Sequence, residues 1–140
     1  MTESTLLTDI RDGVATVRLN RPAVHNAFDD ALIAALTAEL RRLEALTQAR
    51  IIVLAANGKS FSSGADLNWM RRMATYSREE NYRDAMALAN LMRTLDGMQK
   101  PTVACVQGAA YGGGVGLVAC CDIAIASAEA SFSLSEVRLG

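Results

Sequence analysis

The chain has a single histidine, His25, so it cannot assemble a histidine-based metal site. It also lacks an excess of either charge: 14 Lys and Arg stand against 15 Asp and Glu, a formal net charge of −1. The only basic clusters are the pairs Arg41-Arg42 and Arg71-Arg72, which excludes a nucleic-acid-binding surface. Cysteine is scarce and odd in number. Cys105, Cys120 and Cys121 all sit among apolar residues, a pattern of free thiols in a reducing compartment rather than of a disulfide framework. No apolar run is long enough for a bilayer. The longest, Gly108 to Cys121, is bounded by Gln107 and Asp122 and suits a buried helix. Met1 to Ser4 shows no basic segment leading into an apolar one, so no signal peptide is expected and the chain reads as cytoplasmic.

What is present is an ordinary globular domain, 51% hydrophobic over 140 residues. Leu6 to Ile10 and Val14 to Leu19 are β-prone runs on either side of Asp12-Gly13, a hairpin signal, and Arg21-Pro22 ends the second. An aspartate of Asn26-Ala27-Phe28-Asp29-Asp30 caps a helix whose apolar stripe is Leu32, Ile33, Leu36, Leu40 and Leu43. Ile51 to Ala55 is continuously apolar, as in a strand covered on both faces. Asn57 to Leu67 is small and polar, a loop entering a short helix that reaches about Met73. Ser77-Arg78-Glu79-Glu80 is a capping box, and the helix it opens stops near Gly97, before Pro101. Thr102 to Val106 and Ile123 to Ala126 read as further strands, with Ser131 to Leu134 as one more. Strands alternating with helices predict one α/β unit with a largely parallel sheet that begins in a hairpin.

In such sheets, ligands bind at the loops that follow the strands. Two loops stand out: Ser62-Ser63-Gly64-Ala65-Asp66, and Gly112-Gly113-Gly114. If their strands are neighbours, each can aim backbone N–H groups at one point, and two converging donors are what a carbonyl needs as it becomes an enolate. The nucleotide motifs fail on spacing: there is no G-x-x-x-x-G-K-[ST], and Gly112 to Leu117 ends in Leu where G-x-G-x-x-G needs Gly.

Four stretches carry a resemblance. Arg21-Pro22-Ala23-Val24-His25-Asn26-Ala27-Phe28, Phe61 to Leu67, Gly108 to Asp122, and Ser133 to Gly140 resemble the enoyl-CoA hydratase/isomerase (crotonase) family, in the family's order. The resemblance runs from about Val14 to Gly140 and implies a crotonase-like spiral of ββα units. The stretches His25 to Asp30 and Ala65 to Met70 look most like bacterial methylglutaconyl-CoA hydratases and their relatives in leucine or acyclic-terpene breakdown. Carried onto this chain, the resemblance implies that the amides of Ala65 and Gly113 form an oxyanion hole for the acyl thioester. Ala23, Val24 and His25, with Ala65, Asp66, Leu67 and Asn68, would line the coenzyme A channel, and Ser63 and Leu67 would help hold its adenine end. Asp66 also reads as a helix cap, Trp69 and Met70 as lid or core packing, and His25 as a solvent-facing turn residue. No cofactor or metal is implied, because coenzyme A is part of the substrate.

The chain departs from the family pattern in two ways. Family hydratases bring two glutamates to the reacting double bond, and Glu136 falls on the second of these positions while Gly116 falls on the first. Glu136 alone would then be the acid/base of a hydratase, or of a double-bond isomerase, the alternative. The second departure is length, since family members run to roughly twice this chain. The expectation is therefore the N-terminal part (residues 1–140) of one acyl-CoA-binding domain, truncated at its C-terminal end and inactive or weak alone, with a catalytically inactive coenzyme A-binding fragment as a further alternative. Later helices of the family cover the acyl pocket and build trimers paired into hexamers, so a homo-oligomer is expected only of a longer chain.

Overall fold

The computed structural model describes residues 4–138, so Met1 to Glu3, and the Leu139 and Gly140 that end the last family-like stretch, lie outside it. Strands β1 (Leu6–Arg11) and β2 (Val14–Leu19) form the antiparallel hairpin. Its two turn residues, Asp12 and Gly13, both take positive φ (51° and 84°), as a two-residue hairpin turn requires. Strands β3 (Ile51–Ala56), β5 (Thr102–Val106) and β7 (Ile123–Ala126) then add in parallel, in the order β1-β2-β3-β5-β7. The parallel sheet with a leading hairpin is thus as the alternation of elements predicts.

Helix α1 (Asp30–Ala45) buries Leu32, Ile33, Leu36, Leu40 and Leu43, the stripe legible in the sequence. It packs beside α3 (Arg78–Asp96), and both lie over one face of the sheet, on Ala15, Val17, Leu19, Ile52, Leu54, Ala104 and Val106. Each large apolar side chain buried there contributes about 1.5–3 kcal/mol. The caps match expectation: Asp29 accepts from the Leu32 amide at 2.8 Å, and Ser77 and Glu80 close a reciprocal capping box on α3.

Two expectations need correction. The strand at 51–56 is not covered on both faces among the described residues. Ile52 and Leu54 are buried, but Ile51 is exposed and Val53 half-buried. The opposite face continues through Val103 and Cys105 to Ile123 and Ile125, their register partners on β7. Ile125 is 60% exposed. The apolar run reads as fully covered because it is apolar at every position; burial of its second face is decided by what packs there. The other correction concerns the stretches read as loops. Ser60–Ser62 is a strand, β4, and Ala109–Tyr111 another, β6, and with β8 (Ser131–Ser133) they form a second, all-parallel sheet in the order β4-β6-β8. The helix in the 108–121 run is accordingly short, α4 (Gly113–Ala119).

Candidate functional site

The second sheet determines where the chemistry-bearing residues meet. Its three strands run side by side in the same direction, with Ser62 beside Ala110 and Tyr111 beside Ser133. Their C-terminal ends therefore lie together. From β4 the chain enters Gly64 and Ala65, from β6 it enters Gly112 and Gly113, and from β8 it enters the 3-10 turn Ser135–Arg138 that carries Glu136.

The first two segments touch. A Cβ on Gly64 would stand 3.3 Å from the Tyr111 carbonyl oxygen and 3.7 Å from the Gly112 Cα. Gly64 (φ 91°) and Gly112 (φ 53°) both hold positive φ, which only glycine adopts readily. The third segment is tied in by the Gly112 amide, which donates to the Ser133 carbonyl at 2.9 Å. A Cβ on Gly112 would land on Glu136 Oε1, so the carboxylate lies directly over that glycine.

Phe28 holds the β4 exit in place. Its amide donates to the Gly64 carbonyl and its carbonyl accepts from the Asp66 amide, both at 2.7 Å, straddling Ala65. Its buried ring presses on the other segment, with ring carbons 2.7 and 2.9 Å from where a Cβ on Gly113 would stand. Neither the Ala65 nor the Gly113 amide donates to an acceptor among the described residues. Gly113 is also the first residue of α4, where N–H groups lack intrahelical partners.

Beside this point a cleft of about 330 Å³ is lined by Val24, His25, Ala27, Ser63, Ala65, Asp66, Leu67, Asn68 and Arg71. Every expected channel residue from Val24 to Asn68 is therefore gathered there. Ala23 lies on the adjoining 3-10 turn, Pro22–Val24, and does not line the cleft; nor do Gly113 and Glu136. His25 is an exposed turn residue with φ 52°, and its Nδ1 lies 2.9 Å from Ser60 Oγ. Asp66 caps α2 (Leu67–Met73), accepting from the Asn68 and Trp69 amides at 2.8 and 3.2 Å. Its second oxygen meets Arg21 Nη2 at 3.2 Å, and the same nitrogen meets Asp29 at 3.1 Å. Burial alone would raise the Asp66 pKa, but the two amides and the Arg21 charge together hold it below the usual aspartate range. Trp69 is buried and donates from Nε1 to Asp84, while Met70 is exposed.

Three contributors escape a sequence reading. Asn26, fully buried at φ 53°, donates to the Asn57 and Ser60 carbonyls and accepts from the Arg21 amide, bolting the 21–26 turn to β4. Ser62 donates to the Asn26 carbonyl and accepts from Gly64. Arg71, on the second turn of α2, also lines the cleft. Asn26 and Ser62 depend on contacts distant in sequence. At Gly116, where a family hydratase would bring its other glutamate, the space is taken by Met92 of α3: a Cβ would stand 3.0 Å from Cε and 3.3 Å from Sδ. Among the described residues there is no cluster of three metal-ligating side chains, and no helix is long and apolar enough to cross a membrane.

Residues 9–140 match the profile of the Enoyl-CoA hydratase/isomerase family. A solved structure from Legionella pneumophila, provisionally assigned as an enoyl-CoA hydratase/isomerase (crotonase), superposes with a TM-score of 0.96 at 51% identity, covering 99% of this chain and 54% of that one. An enoyl-CoA hydratase from Shewanella pealeana superposes at 0.95 with 50% identity, over 98% of this chain and 52% of that one. A Thermus thermophilus protein provisionally assigned as an enoyl-CoA hydratase is 39% identical over 127 residues, 91% of this chain and 50% of its own length. The chain thus spans about half the length of the relatives it matches.

Proposed function

The chain belongs to the enoyl-CoA hydratase/isomerase family, and on that premise we propose that it takes part in adding water across the double bond of an α,β-unsaturated acyl-CoA. The observation that carries this reading is the meeting of three neighbouring strand ends, which bring the free amides of Ala65 and Gly113 and the carboxylate of Glu136 to one place. The thioester carbonyl accepts from the two amides, and the negative charge that develops there as water adds to the β-carbon is held by donors already in position. Glu136 takes a proton from the attacking water and returns it to the α-carbon. The sum is one water added and the carboxylate regenerated, so a single acid/base balances the reaction. The cleft from Val24 to Asn68 holds the coenzyme A portion, and no further cofactor is called for.

The stretches His25 to Asp30 and Ala65 to Met70 make 3-methylglutaconyl-CoA the first substrate to try. A second reading, double-bond isomerisation, is favoured by the apolar thioether of Met92 over Gly116, which leaves one carboxylate to move a proton between the α- and γ-carbons. We further infer that residues 4–138 are the N-terminal part of one domain. Exposed Ile123 and Ile125 on the edge strand β7, and exposed Phe132, Leu134 and Val137 on and after the edge strand β8, support this, because they are apolar side chains that a longer chain or a partner copy would cover.

Product analysis distinguishes these readings. The protein at its full natural length is incubated with a short 2-enoyl-CoA, a 3-enoyl-CoA and 3-methylglutaconyl-CoA. A 3-hydroxyacyl product supports hydration; a shifted double bond with no hydroxyl moves the assignment to isomerisation. Binding of coenzyme A without turnover marks a scaffold that has lost its chemistry.

A further inference from the structure

The amides of Ala65 and Gly113 belong to different segments of the chain, and one residue holds both. Phe28 is buried and lies just before Asp29, the cap of α1. The stretch leading to it is laddered onto the β4 exit. The Ser63 amide donates to the His25 carbonyl at 3.0 Å, and Ser62 Oγ donates to the Asn26 carbonyl at 2.9 Å. Phe28 ends that ladder by pairing in parallel with Ala65, through its bonds to the Gly64 carbonyl and from the Asp66 amide. In a parallel bridge those two bonds use the groups on either side of Ala65, so the Ala65 N–H itself points away from Phe28. The ring of the same residue backs onto the second donor. Gly113 has no side chain to anchor it, and a Cβ there would stand 2.7 and 2.9 Å from Cε2 and Cδ2 of Phe28.

We propose that Phe28 is a positioning residue for the reaction: its backbone aims the Ala65 N–H, and its ring sets where the Gly113 N–H stands relative to it. The proposal rests on the acyl-CoA reading above, in which both amides donate to the thioester oxygen. Two donors stabilise a developing oxyanion only when their separation suits one oxygen atom, and a misplacement of about 1 Å can cost about a hundredfold in rate. A rigid aromatic ring, locked by burial and by two backbone bonds, keeps that separation fixed without touching the substrate.

The test compares the full-length protein with its Phe28→Met, Phe28→Ala and Leu36→Ala variants, the last a core truncation further along α1. Each is measured for thermal stability, for kcat and KM on a short 2-enoyl-CoA, and for binding of a saturated acyl-CoA and of a 3-oxoacyl-CoA, which presents an enolate. Phe28→Ala is expected to lower kcat about tenfold to a hundredfold with KM within about twofold. It should weaken the 3-oxoacyl-CoA by a similar factor and leave the saturated ester nearly unchanged. Phe28→Met still reaches toward Gly113 and should lose less; where Phe28→Ala does not fold, Phe28→Met decides alone. Leu36→Ala should melt lower and keep the wild-type kcat. Wild-type kcat in the folded Phe28 variants, a rise in KM at unchanged kcat, or an equal kcat loss in Leu36→Ala overturns the proposal while leaving the acyl-CoA reading intact. A wild-type protein that neither turns over the enoyl-CoA nor binds either ester overturns both.

Discussion

The Glu136 carboxylate lies over the α-carbon of Gly112, in the space any side chain there would fill. Gly112 also holds φ 53° and ψ −121°, a conformation open in practice to glycine alone. Gly112→Ala is therefore expected to cost about 1–3 kcal/mol in backbone strain and to displace Glu136. Thermal unfolding and steady-state kinetics check this: the variant should melt lower and lose turnover more than substrate affinity. Unaltered turnover would mean that the carboxylate has no stake in its place over the glycine.

Met92 and Gly116 form a second coupled pair. Gly116→Glu alone should lower stability by about 1–3 kcal/mol, because the added atoms meet the half-buried thioether of Met92. Met92→Ala in the same chain opens that space, and a double-mutant cycle should return a favourable coupling of about 1 kcal/mol or more. Additive effects would show that the two sites do not share the space. Where the double variant folds, it should hydrate faster than Met92→Ala, since it regains a second carboxylate.

Arg21 serves two acids at once, Asp29 and Asp66. Arg21→Met leaves both without their cation and is expected to cost about 1.5–3 kcal/mol at neutral pH, read by urea unfolding. The pH dependence follows from Asp66. Its folded-state pKa is depressed, so its contribution is fully present above the ordinary aspartate value and is lost as pH falls through the lower folded value. Acid unfolding of Asp66→Asn should accordingly be less steep in that window than wild type. An identical acid profile would contradict the role given to Asp66.

Burial pushes the Cys121 thiol up to about 12, and its Sγ also donates to the Leu117 carbonyl at 3.4 Å. Maleimide labelling at pH 8, followed by mass spectrometry of peptides, should leave Cys121 largely unmodified until the protein is unfolded. Equal labelling of folded and unfolded protein would refute this.

Much of the first sheet and its helices is legible in sequence because each signal is local. Asp12-Gly13 sets the hairpin, Asp29 and the Ser77 to Glu80 box set two helix starts, and the leucine stripe of α1 sets its buried face. The second sheet is not legible in this way. Strands β4 and β6 are three residues each, with a glycine within two residues of either end, and exist because β6 pairs with β4 and with β8. Resemblance pointed to the cleft residues, but no spacing rule brings Val24 and His25 against Ser63 to Asn68. That is the work of Asn26 and Ser62, whose partners lie more than thirty residues away.

The central claim is that Glu136 supplies the proton transfers at a site whose two amides hold the thioester oxygen. Hydration of a short 2-enoyl-CoA by the full-length protein, with and without Glu136→Gln, tests it most directly. The account predicts a 3-hydroxyacyl product from wild type, a loss of about 10²–10⁴ in kcat for Glu136→Gln, and nearly unchanged substrate affinity. Hydration by Glu136→Gln at the wild-type rate would contradict it.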